Sequence, residues 1–112
     1  MSDRTIKRVD SHTSPLGEMG QKYLVSGKRL AMRLWEEAPG EEGAPHTRPY
    51  ETVGYVVEGK VRIRVGDDVL TMEAGDSYLV PDGAEHHYTV LERLVAVEAT
   101  APPARVNDRD DA

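Results

Sequence analysis

Gly75-Asp76-Ser77-Tyr78-Leu79-Val80-Pro81-Asp82-Gly83-Ala84-Glu85-His86-His87 is the stretch that decides how this chain is read. A glycine opens it, a short β-prone run follows, and Pro81-Asp82-Gly83 turns the chain just before His86. Proline fixes φ and glycine accepts left-handed backbone, so this tripeptide reverses the chain for a physical reason. Upstream, Gly40-Glu41-Glu42-Gly43-Ala44-Pro45-His46-Thr47-Arg48-Pro49-Tyr50-Glu51-Thr52 repeats the device, a glycine followed at a distance by a histidine, and runs on to Gly59.

Outward from these two stretches, turn signals recur at Ser26-Gly27, Pro39-Gly40, Glu58-Gly59, Gly66-Asp67-Asp68 and Ala74-Gly75-Asp76. Short segments at spacings of about 8 to 12 residues are the mark of an all-β sandwich or barrel. The segments alternate: Val61, Ile63 and Val65 share one face, Lys60, Arg62 and Arg64 the other, so the first set is expected inside and the arginines in water. Gly66-Asp67-Asp68 then turns the chain into Val69 to Met72, a hairpin with a loop of about three residues. Further strands are predicted over Gln21–Ser26, Arg29–Trp35, Thr52–Val57, Asp76–Val80, His86–Val90 and Leu94–Ala99. The Leu30, Met32, Leu34 spacing has period two, which favours strand over helix there.

The chain has 112 residues, enough for one domain. Residues 1–14 read as a flexible N-terminal segment, 15–101 as the barrel, and 102–112, with two prolines and dense charge, as an extended or disordered tail. Cysteine is absent, which excludes disulfides and thiolate metal sites. A net charge of −6 with no clustered Lys and Arg argues against a nucleic-acid partner. No apolar run approaches a membrane span of about 20 residues, and Met1 to Ser14 lacks a signal-peptide apolar segment, so a cytoplasmic protein is expected. With no phenylalanine, the core falls to Val, Leu, Ile, Met, Tyr and Trp35.

Together the two stretches resemble the signature motifs of the cupin family. The second family motif, G-x5-P-x-G-x2-H-x3-N, is met by Gly75, Pro81, Gly83 and His86, with Val90 in place of the asparagine. The first, G-x5-H-x-H-x3,4-E-x6-G, is met by Gly40, His46 and Gly59, but Arg48 stands for the second histidine and Thr52 for the glutamate. The resemblance implies an all-β, cupin-type double-stranded β-helix, that is, a jelly-roll barrel. It further implies a homodimer and a divalent-metal site (Ni, Mn, Fe, Zn or Cu) inside the barrel.

The departures change the chemistry expected of that site. A guanidinium stays protonated and has no lone pair for a metal, and a threonine hydroxyl is a poor ligand. His46 and His86 are the remaining metal ligands; Glu51 could join them only if a bulge turned it inward, since alternation sends it away from Thr52. Two histidines and water give weak metal binding. An inward Arg48 would present donors to a carboxylate, phosphate or enolate oxygen. Thr52, Tyr55 and Tyr88, with Tyr50 and Tyr78, are the further candidates for the ligand pocket, and His87 is expected to point away from it. The reading is a small-molecule-binding protein with a degenerate two-histidine site. A metal-dependent dioxygenase or isomerase of a small carbonyl or phenolic compound is the first alternative, and a non-catalytic structural or regulatory module the second.

Overall fold

Residues 6–13 and 21–104 of the chain are described by a computed structural model. Its strands are β1 (Lys22–Ser26), β2 (Ala31–Glu37), β3 (Glu51–Val65), β4 (Asp68–Glu73), β5 (Ser77–Val80) and β6 (His86–Ala101). They form one antiparallel sheet in the order β1-β2-β6-β3-β4, with β5 also paired to β3. The all-β expectation holds.

β3 and β6 each join two segments that the turn rhythm separates. The signal Glu58-Gly59 is a bulge and not a reversal: pairing runs from Glu51↔Ala101 to Val56↔Ala96, shifts around Glu58 and Lys60, and resumes from Val61↔Val90 to Val65↔His86. Gly59 has a φ of 91°, and an added Cβ would collide with the Arg93 carbonyl, so only glycine sits there without strain. The bulge also settles the alternation. Val56 and Val61 are both fully buried although they lie an odd number of positions, five, apart. An uninterrupted strand would send them to opposite faces.

The two halves of the sheet fold onto each other at this bulge. One half carries Trp35, Val56, Tyr78, Val80 and Ala96, the other Val61, Ile63, Met72 and Val90, and all of them pack in one core. Val65 packs partly buried against it, while Arg64 turns outward to Glu42, 2.9 Å away. The β3–β4 connection is tighter than expected: Val65 pairs with Asp68, leaving Gly66 and Asp67 as the turn.

In β2 the period of two is right, and its buried face is Ala31 and Trp35 with half-buried Arg33 between them. Leu30 and Met32 face outward, joining exposed Val53, Tyr55, Val57 and Leu79 on the outer surface. Register places Val53 beside both Leu79 and Ala99, and Tyr55 beside Val97, so these side chains form one apolar patch.

Residues 6–13 are mostly exposed around a 3-10 turn at Ser11–Thr13. At the other end, Pro103 and Ala104 are buried, and the Ala104 N–H donates to Thr100 Oγ1 (2.9 Å), so packing continues past residue 101. Residues 1–5, 14–20 and 105–112 lie outside the described residues.

Candidate functional site

The segment 40–48 lies along the free edge of the first half of β6. Gly40 N–H donates to the Val90 carbonyl, Gly43 N–H to Tyr88, and His46 and His86 exchange two backbone hydrogen bonds of 2.9 Å. A residue pair bonded in this way projects both side chains to the same face. The two imidazoles therefore meet in the pocket with centroids 6.2 Å apart. Alternation puts Arg48 on the same side as His46, and its Nη2 lies 3.2 Å from His46 Nδ1.

The pocket has a volume of about 50 Å³. Half-buried His46, Arg48, His86 and Tyr88 line it, with Pro81 at its edge. Its deeper lining is Trp35, Tyr50, Thr52, Ile63 and Val80, together with Gln21, Arg33 and Glu98. Tyr88 meets Trp35 edge-on at 4.6 Å and stacks on the His46 ring at 6.2 Å, which fixes the orientation of that imidazole.

Arg33 and Glu98 are functional candidates that sequence reasoning missed. Arg33 Nε donates to Glu98 Oε1 at 2.7 Å, and its Nη1 to the Tyr50 hydroxyl at 3.0 Å. The other Glu98 oxygen accepts from the Tyr78 hydroxyl. Register explains the contact: Tyr78 pairs with Gly54, Gly54 with Glu98, and Glu98 with Arg33, so the four lie in one row across β5, β3, β6 and β2. The Tyr78 ring crosses the space above Gly54, where an added Cβ would collide with it. A glycine inside a strand otherwise rich in Val and Tyr was the available signal, since such glycines mark close approach.

Of the residues expected at the site, His46, Arg48, Thr52, His86, Tyr50 and Tyr88 come together. Tyr78 lies behind the pocket wall, bonded to Glu98. Tyr55 does not reach the site: it is 52% exposed on the outer face, because it is one residue out of phase with inward Gly54 and Val56. Glu51 is exposed for the same reason, out of phase with buried Thr52, and does not line the pocket. His87 also points away, its Nδ1–H donating to the Gly43 carbonyl at 3.2 Å, where it ties down the segment that carries His46.

Burial holds the His46 imidazole below its ordinary pKa, and the charge of Arg48 and then His86 adds to the effect. Burial, then the carboxylates of Glu37 and Glu98, push Tyr88 up to about 12. Tyr78 is pushed up further by burial and Glu98, so both phenols stay neutral donors or acceptors.

A resident divalent metal does not fit this donor set. No group of three or more His, Cys, Asp or Glu that could hold one exists among the described residues. Guanidinium groups only donate, so the lone pair of His46 Nδ1 is already taken by Arg48. His86 Nδ1 lies 3.1 Å from the Ala84 carbonyl, which leaves Nε2 as the one lone pair that this lining imidazole can offer. The fixed charge of Arg48 also repels a cation.

A curled antiparallel sheet with its site between the halves, marked by glycine-framed histidines, defines a small barrel protein of the jelly-roll type. The chain belongs to the cupin family, whose cupin-domain model matches residues 33–98. No curated protein matches it. Among solved structures, KdgF from Halomonas sp. superposes with a TM-score of 0.77 at 20% identity, covering 93% of this chain and 98% of that one. An RmlC-like cupin from Shewanella frigidimarina gives 0.76 at 22% identity, with 93% and 96% covered. The EutQ protein of Clostridium difficile gives 0.70 at 20%, with 89% and 74% covered. At such identities the likeness is one of fold. No helix among the described residues is long and apolar enough to cross a membrane.

Proposed function

We propose that this cupin binds a small organic anion in the pocket between His46, Arg48 and His86, and that its two histidines are the remnant of a divalent-metal site that now holds metal weakly. The observation that carries the reading is the Arg48 guanidinium seated against His46 Nδ1, inside the pocket. It brings a permanent positive charge and several N–H donors to the place where metal-binding cupins present a second imidazole. The Arg33–Glu98 pair deeper in the lining compensates its own charges and gives the pocket a rigid polar wall. A metal-dependent enzyme would have drawn on Glu51, and that carboxylate lies on the opposite face of β3.

The test is metal analysis of protein purified without an affinity tag or added metal, followed by calorimetry with acetate, propionate and phosphate. Substoichiometric metal together with anion binding that Arg48→Gln weakens at least tenfold supports the reading. Stoichiometric, tightly held metal would overturn it.

The same reading takes a second copy of the chain as partner and the cytoplasm as compartment. The outer patch of Val53, Tyr55, Val57 and Leu79 continues across Val97 and Ala99 to Met32, and among the described residues no charged one interrupts it, although 30% of the chain is charged. A continuous sheet face of this kind suits a two-fold, self-complementary interface. Light scattering should give twice the chain mass, and Tyr55→Lys should return it to the monomer.

A further inference from the structure

We propose that the ligand is a small 2-hydroxy carboxylate, whose carboxylate takes the donors of Arg48 and His46 while its hydroxyl donates to His86; this rests on the anion-binding reading above. The argument comes from which ring nitrogen of each histidine carries the proton. His46 Nδ1 faces Arg48 Nη2 at 3.2 Å. Since arginine has no acceptor, Nδ1 must accept, and the neutral ring carries its proton on Nε2. His86 is the reverse. Its Nδ1 faces the Ala84 carbonyl at 3.1 Å, and a carbonyl cannot donate, so Nδ1 holds the proton and Nε2 is a bare acceptor.

The two rings, held side by side by the His46–His86 backbone bridge with centroids 6.2 Å apart, thus offer opposite polarity. A donor stands on the His46 side, reinforced by a fixed positive charge, and an acceptor stands on the His86 side. A plain carboxylate satisfies the first and leaves the second facing an oxygen lone pair. A carboxamide satisfies both but forgoes the charge of Arg48. A carboxylate with a hydroxyl on the neighbouring carbon satisfies both and keeps the charge. An unmade hydrogen bond in a partly dry site discriminates strongly between otherwise similar ligands. The volume of about 50 Å³ is a few times the roughly 10–15 Å³ that one water needs on the same measure. That limits the acid to a few carbons, with Ile63 and Val80 available to an alkyl end.

The experiment titrates the full chain by calorimetry with glycolate, lactate, propionate, 2-methoxypropionate and lactamide. Glycolate or lactate should bind at least tenfold more tightly than propionate, 2-methoxypropionate and lactamide. Equal affinity for lactate and propionate would overturn this inference and leave the anion pocket standing. No binding of any carboxylate would sink the anion-binding reading and this inference with it. Tighter binding of lactamide than lactate would replace the acid by an amide. Independently of any ligand, nitrogen-15 NMR of the imidazoles should show the proton on Nε2 of His46 and on Nδ1 of His86 above pH 7. The same tautomer on both rings would refute the proposal.

Discussion

Neutralising Glu98 gives the sharpest test of how the pocket wall is held. Glu98 and Arg33 side chains are only 7% and 12% exposed and meet at 2.7 Å. Glu98→Gln keeps nearly the same shape and leaves an oxygen for Arg33, but strands a guanidinium under the sheet. Arg33→Met strands the carboxylate with the Tyr78 hydroxyl as its remaining named donor. Breaking a buried pair from one side costs about 3–5 kcal/mol, because the surviving charge has lost its partner while remaining out of water. Glu98→Gln should sit near the lower end, about 3 kcal/mol, since its hydrogen bonds are partly kept. For a chain of this size that lowers the melting temperature by on the order of 10 °C. The double substitution removes both charges and should cost much less than the two singles together, giving a coupling of at least about 2 kcal/mol. Urea denaturation at neutral pH, with slopes compared among all four proteins, measures each corner of the cycle. Single substitutions costing under about 1 kcal/mol, or strict additivity, would refute the claim that the wall depends on this pair.

The core register predicts that Ile63→Ala, at a buried site, costs about 2–5 kcal/mol, whereas Arg64→Ala stays near 0.5; equal costs by chemical denaturation would mean the register is wrong. Acid should weaken the fold through His46: its native pKa is lowered, so below about pH 6.5 the unfolded chain takes up a proton that the native ring refuses, and stability falls as pH drops through that value. His46→Gln should flatten this limb of a stability-against-pH curve, and an unchanged curve would count against burial of the ring. At high pH, absorbance titration should find Tyr88 still protonated until about 12, a late step that Tyr88→Phe removes. Finally, Arg48→His with Thr52→Glu should rebuild a set of three imidazoles and a carboxylate, raising Ni²⁺ affinity in calorimetry at least tenfold, roughly 1.4 kcal/mol. No gain would mean these four positions do not converge.

Where the sequence alternates unambiguously, it was sufficient. Val61, Ile63 and Val65 against Arg62 and Arg64 define one inner face, and the glycine-framed histidines placed His46 and His86 in one pocket. Other parts were illegible for identifiable reasons. β2 carries apolar residues on both faces, so Leu30 and Met32 gave no hint that Arg33 lies on the pocket side. The second half of β6 has the same ambiguity, with Val95, Val97 and Ala99 outside and Leu94, Ala96 and Thr100 inside, which hid Glu98 among them. Residue type alone points Tyr55 to the pocket, whereas the phase set by Thr52 and Val56 sends it to the outer face. The tautomers of the two histidines depend on an arginine two residues away and on a turn carbonyl, contacts that exist only after folding.

The bulge at Gly59 has a consequence for how this chain can change in length. The two halves of β3 share an interior although Val56 and Val61 lie five positions apart, because the bulge absorbs the one residue that strict alternation has no place for. Deleting that residue together with the bulge would leave four positions, a spacing that an unbroken strand keeps on one face, so Val61, Ile63 and Val65 would stay inside while the corner straightened. Deleting two would leave an odd spacing, which needs a bulge again and a residue that accepts the φ of 91° seen at Gly59. Length variation at this corner is therefore tied to whether the bulge is kept, whereas an insertion at the Gly66-Asp67 turn lengthens a loop and leaves Met72 paired with Val61.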